Sequence, residues 1–146
     1  MGKNVSHEFQ KGLERKRIER FPSIQNLSKK ELSAAEDDLH EAVDRFKNKK
    51  YKYATIAAYY SMFHCARSLI YSKGYREKSH YYLLVAVRSL FVETGLLAEE
   101  LIIEFHDAMV LREDADYNAD FSKAGAETVI ESAKEMLKRA GNILKK

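Results

Sequence analysis

One proline and six glycines are all that this chain of 146 residues offers to interrupt a helix, and no alternation of apolar and polar residues persists beyond a few positions. Both shortages leave little room for strands and predict an all-α protein. A single cysteine, Cys65, excludes an internal disulfide. In its apolar context it reads as a small buried hydrophobe of a reducing compartment. The longest aliphatic run, Leu83–Val87, falls far short of the roughly 20 residues that cross a bilayer. No basic segment followed by an apolar stretch opens the chain, so a cytoplasmic protein without contact with membrane is expected. Glycine-rich phosphate loops are missing, and so is tryptophan, whereas tyrosine occurs nine times. A tyrosine-rich surface suits a protein interface.

Apolar residues make up 45% of the chain and charged residues 32%, a balance that argues against disorder. The length predicts one domain able to bury roughly 68–70% of the surface its unfolded chain exposes. Charge is unevenly spread. Residues 1–30 carry eight Lys/Arg against three Glu, while residues 31–146 carry seventeen against nineteen acidic residues. The basic segment, residues 1–27, reads as a solvated helical arm or as a contact for nucleic acid or an acidic partner.

The helical reading begins with a short basic segment at about 6–20, with Pro22 just beyond it. Ser28-Lys-Lys-Glu31 and Ser33-Ala-Ala-Glu36 both fit a capping box, so a helix starts nearby and presents Leu32, Ala35, Leu39, Val43 and Phe46. The next helix, about 51–72, is apolar on two sides. One row is Tyr53, Ile56, Tyr60, Phe63 and Ile70, and the other is Tyr59, Met62, Cys65, Ala66 and Leu69. Such a helix is central in its bundle or lies against a second chain. Gly74 stops it, Ser79 caps a helix at 80–94, and Gly95 ends that one. Helices at about 98–117 and from Ser122 onward complete the chain. The expected architecture is an up-and-down four-helix bundle over residues 28–146 with an extra short N-terminal helix.

Several chemistries are excluded by spacing. No His-Glu-x-x-His and no Cys/His cluster occurs, and the lone Glu77-Lys-Ser-His80 straddles a helix start, so no metal site is expected. Cys65 and His64 are neighbours, but adjacent helical residues point about 100° apart and do not form a nucleophile–base pair. Polar residues on apolar faces remain. Ile102, Phe105, Met109, Arg112 and Asp116 share one face of their helix. A guanidinium on such a stripe cannot be titrated away, so it marks either a structural ion pair or a phosphate site. Tyr60, His64 and Arg67 form a second row, and Ser79 and His80 sit at a helix start where free N–H groups favour anions. Brought together with Arg112, Asp116 and Tyr117, these residues would make a phosphate pocket. Equally, Arg112 could pair with Asp116 one turn on, with Tyr60 and His64 satisfying each other.

The block Ala58–His80, AYYSMFHCARSLIYSKGYREKSH, together with LREDADY at Leu111–Tyr117, resembles the HEPN-domain family, in particular its small stand-alone prokaryotic members. The resemblance spans about residues 28–145. It implies a helical bundle, a homodimer whose protomers join their grooves, no cofactor, and a minimal nucleotidyltransferase partner in a toxin–antitoxin-like pair. Many HEPN proteins are metal-independent ribonucleases in which an arginine holds the scissile phosphate. In these a histidine four to six residues later assists attack by the RNA 2′-hydroxyl. Arg112 matches that arginine, yet no histidine follows it, and Tyr117 stands in the histidine's place at the shortest spacing. A phenol with an ordinary pKa of about 10 is a poor base at neutral pH. The expected function is therefore a non-catalytic or weakly active dimeric component that binds nucleotide or RNA. The alternative is a ribonuclease with Arg112 at the phosphate and His64 or His80 replacing the lost base.

Overall fold

The computed structural model describes residues 2–21 and 25–145, most of them helical. In chain order the elements are α1 (Gly2–Glu14), β1 (Ile18–Arg20), α2 (Gln25–Lys47), α3 (Tyr51–Ser72), β2 (Tyr75–Glu77), α4 (His80–Val87, continued by a π-helical turn at Arg88–Val92), α5 (Glu99–Tyr117) and α6 (Lys123–Leu144). Four are long, and α3 packs against α2, α5 and α6, while α2 also meets α6. This is the all-α bundle that the sequence predicts. Among the described residues no helix is long and apolar enough to cross a membrane.

Helix α3 earns its central place through its composition. Ala54, Ala58, Tyr59, Met62, Cys65, Ala66, Leu69 and Ile70 are fully buried, so two of its faces are sheltered at once. Small residues let neighbours approach closely: Ala35 and Ala42 of α2 and Ala126, Ala133 and Ala140 of α6 all have no exposed surface. Tyr53 departs from its expected inward row and is half exposed. Cys65 is buried as expected, and burial pushes its thiol up to about 12, so it is no nucleophile at neutral pH.

Caps decide where helices begin and end. Ser79 and Ser122 each accept a hydrogen bond from the backbone N–H three residues on, Tyr82 and Gly125 respectively. Gly74 and Gly95 adopt positive φ where α3 and the π-helical turn stop. The capping role expected of Ser28 is not seen. Helix α2 already starts at Gln25, and the buried Ser28 hydroxyl donates instead to the Ser68 carbonyl at 2.7 Å. Nor does the helix at 80–94 stay α-helical throughout, since its last part widens into the π turn.

The N-terminal segment differs most from expectation. Its helix ends at Glu14 rather than near Arg20, because a Schellman closure turns the chain: Arg17 N–H bonds to Gly12 O and Lys16 N–H to Leu13 O. The next residues form a strand, with Ile18, Glu19 and Arg20 opposite Glu77, Arg76 and Tyr75. Helix α1 lies on α4 through Gly12, where an added Cβ would sit 2.9 Å from the Tyr82 ring. Phe9 meets Tyr75 edge to face. Pro22 lies outside the described residues.

Helix α2 closes in the same way as α1, with Lys49 at φ 62°, its N–H bonded to Phe46 O and that of Lys50 to Arg45 O. A side chain in this left-handed region costs about 1–2 kcal/mol, and glycine forfeits only about 0.5–1 kcal/mol in unfolded-chain entropy. Lys49→Gly is expected to stabilise the fold by about 0.5–1 kcal/mol, a rise of about 1–4 °C in thermal melting. An unchanged or lower melting temperature would contradict this.

Candidate functional site

Arg112 projects from the inner face of α5 and is 6% exposed. Its guanidinium lies over three aromatic rings, 5.2 Å from the Tyr59 centroid, 5.6 Å from Tyr60 and 5.9 Å from Tyr117. These quadrupoles partly replace lost hydration. Asp116 stands one turn on, with Oδ2 3.6 Å from a terminal guanidinium nitrogen, close enough for an ion pair but long for a hydrogen bond. Nε is fully buried and has no hydrogen-bond partner. The arginine is thus caged by rings and only loosely neutralised.

Tyr59, read from the sequence as a plain core residue, is the group that joins this cage to the start of α4. Its hydroxyl lies 2.7 Å from His80 Nδ1, and its ring stacks on Phe105. Burial pushes the Tyr59 phenol well above its ordinary range, only partly offset by Arg112, so it stays protonated. Burial, and then the charge of Arg112, lowers the pKa of His80. With its phenol protonated, Tyr59 has an O–H to donate, and donation to Nδ1 puts the proton of a neutral imidazole on Nε2. In that tautomer His80 is a donor and not a base.

His64 and Arg67 form a second group on the α2 side of α3. His64 Nδ1 donates to Glu31 Oε1 at 2.6 Å, and Nε2 lies 3.6 Å from Asp38 Oδ2. The pairing of His64 with Tyr60 that the row on α3 allowed is not formed, because α2 supplies a carboxylate that a phenol cannot match. Arg67 lies between Glu31 and Glu77, with contacts of 3.9 and 3.3 Å, and donates to the Tyr71 hydroxyl. Its Nε faces Glu77 off line, and Glu77 Oε1 is buried without a hydrogen bond. Burial raises the pKa of Glu77, and Arg67 opposes that rise.

Phe63 stands between the two groups. Its ring meets Tyr59, Tyr60, His64 and His80 and lies under Arg67. The candidate residues therefore divide. Arg112, Asp116, Tyr117, Tyr60 and His80 gather around Tyr59, while His64 and Arg67 gather around Glu31. Ser79 uses its oxygen as a helix cap. Sequence reasoning missed Tyr59, Glu31, Asp38 and Glu77. The signal for Glu31 was present but was read as a capping box. Among the described residues no set of three or more His, Cys, Asp or Glu side chains could hold a metal ion.

A helical bundle with a buried arginine on the inner face of α5 fits the class of protein that the sequence resembles. The chain belongs to the HEPN-domain family, whose model matches residues 28–145. It is similar to two proteins of Methanocaldococcus jannaschii, each bearing the name "putative toxin". One is 31% identical over 115 residues, covering 78% of this chain and 86% of that protein. The other is 31% identical over 88 residues, or 60% of each chain.

Because the folded pKa of His80 is depressed, the unfolded chain binds its proton more readily, and stability is lost as pH falls below the unfolded value of about 6.5. Denaturant unfolding from pH 8 to 5 should show this loss, and His80→Gln, which can still accept from Tyr59, should remove the His80 share of it. Identical slopes for the two proteins across that window would refute the assignment.

Proposed function

We propose that this chain is the HEPN component of a toxin–antitoxin-like pair, a homodimer that binds the phosphate of a nucleotide or an RNA at Arg112 with little or no cleavage, alongside a minimal nucleotidyltransferase partner. The observation that carries this reading is the state of Arg112: a desolvated guanidinium with an unpartnered Nε and one loose carboxylate neighbour. A structural ion pair at such depth is ordinarily bidentate and fully hydrogen-bonded. A phosphate arriving at the terminal nitrogens would supply the charge that Asp116 alone offsets only loosely. Apart from the Asp116 carboxylate, which faces the guanidinium itself, the groups around it are tyrosine rings and His80, so no free imidazole base stands where a 2′-hydroxyl would need one.

The dimer reading is supported by α5, where Ile103, Val110 and Tyr117 are 49%, 44% and 75% exposed and recur every seven residues. That spacing aligns them along one outward face leading to the site. A second reading, cleavage without metal, is favoured by His64. Glu31 accepts a hydrogen bond from its Nδ1–H, an arrangement that leaves Nε2 as the basic nitrogen. That nitrogen lies beside Asp38, and the groups that surround Arg112 are Tyr59, Tyr60, Tyr117 and Asp116, which is why binding is preferred.

Incubation with labelled single-stranded RNA in EDTA should leave the RNA intact while nucleotide or RNA raises the melting temperature. Arg112→Lys keeps the charge but loses the planar fork and should weaken that binding about 10–100-fold, the worth of a charged hydrogen bond. Cleavage by the wild type that Arg112→Ala and His64→Ala both abolish would establish the second reading instead. Absence of any shift with nucleotides, RNA or the partner would sink the first. Sedimentation at micromolar concentration should give a dimer, and Val110→Asp should shift it toward monomer.

A further inference from the structure

The basic arm is not a loose extension. Its helix is seated on α4, and β1 pairs with β2, so two segments far apart in sequence present their cations side by side. Arg15, Lys16, Arg17 and Arg20 from the arm and Arg76 and Lys78 from the β2 region are all exposed. Of the carboxylates in residues 15–20 and 75–78, Glu77 is buried against Arg67, and Glu19 pairs with Lys78 at 3.0 Å. The other five cations make no ion pair among the described residues. Two aromatic rings are interleaved with them: Arg20 lies 5.4 Å over Tyr75, and Arg76 lies 5.3 Å over Phe21. Cations that track a backbone, with rings between them, are the two elements of single-strand binding. An acidic protein partner would need the charge but not the rings.

We infer that the β1–β2 ribbon and the turn at Lys16 form an RNA-backbone surface, separate from the Arg112 cage, that delivers a single strand toward it. The path is short in sequence, since Lys78 lies two residues before His80, whose ring meets Tyr59. Because Lys78 N–H bonds to Arg17 O and Ile18 faces Glu77, the arm also holds in place the segment that leads into α4. This surface extends the RNA-binding reading given above and rests on it. It adds a phosphodiester ligand longer than one nucleotide, held jointly by a segment that precedes the HEPN match at residue 28 and by the β2 region within it.

The test is the salt dependence of binding, by fluorescence anisotropy, of an unstructured oligoribonucleotide to the full chain. Lys16→Gln, Arg17→Gln, Arg20→Gln and Arg76→Gln together remove four cations. Each phosphate contact contributes a slope of about 0.7 in log–log form for a single strand, so the slope should fall by about 2.8. The affinity lost between about 50 and 200 mM salt should then shrink by about 50-fold. The melting shift produced by adenosine monophosphate, which reports the Arg112 cage, should not change. If the quadruple variant melts early, the pair Lys16→Gln and Arg17→Gln should give half the slope change. Wild-type slope and affinity in the quadruple variant would overturn the inference, and if Arg112→Ala alone weakened RNA binding, the cage would still stand. A fall in the quadruple variant with no effect of Arg112→Ala would keep the surface and remove the cage. Binding of polyglutamate but not of RNA by the wild type would overturn it in favour of an acidic protein partner.

Discussion

Burial of both faces of α3 is the constraint on which the rest of the structure depends. A helix that is apolar over so much of its circumference finds shelter only when other helices surround it, and α2, α5 and α6 do so. Alanines at the contacts allow close approach, and the large residues between them, Tyr59, Met62 and Leu69 among them, fill the space without exposure. Every polar group that α3 carries into this core needs a partner, in its own backbone or on a neighbouring element. The functional geometry follows from that need.

Each of those partnerships is distinctive. Ser61 donates to the Ala35 carbonyl and so ties α3 to α2, while Ser68 donates within α3 to the Cys65 carbonyl; both are ordinary solutions. His64 and Arg67 instead draw carboxylates from α2 and β2, building an alternating row from Asp38 through His64, Glu31 and Arg67 to Glu77. Tyr59 reaches across to His80 and supports Arg112. Among these groups Arg112 alone is left with rings for neighbours and one distant carboxylate. Its charge is permanent, so the cost of its burial is met only in part within the chain. A ligand phosphate would supply the remainder, and for this reason we propose the cage as a binding site in preference to a strut.

The same arrangement accounts for the weak case for cleavage. His80 is nearest to the cage, but its Nδ1 is taken up by the Tyr59 hydroxyl. His64 is oriented as a base should be, yet its partners are Glu31 and Asp38 and not the groups around the arginine. Tyr117, which stands where many family members place a histidine, is exposed and offers a ring instead of a basic nitrogen. The residues of a ribonuclease are thus partly present, but they are not assembled around one point.

Much of this was legible from local chemistry. The bounds of α3 and the caps at Ser79 and Ser122 follow from short-range rules, because a cap or a left-handed glycine is a property of four or five consecutive residues. The inward placement of Arg112 follows from helical periodicity, and so does its spacing to Asp116. What the tertiary structure decided were the pairings across elements. Tyr59 meets His80 only because α4 packs against α3, and His64 chooses Glu31 over Tyr60 only because α2 lies alongside. Ile18–Arg20 becomes a strand only because Tyr75–Glu77 offers an unpaired edge. Such choices depend on which neighbour arrives first within hydrogen-bonding distance, and periodicity along one helix holds no record of what another helix brings to meet it.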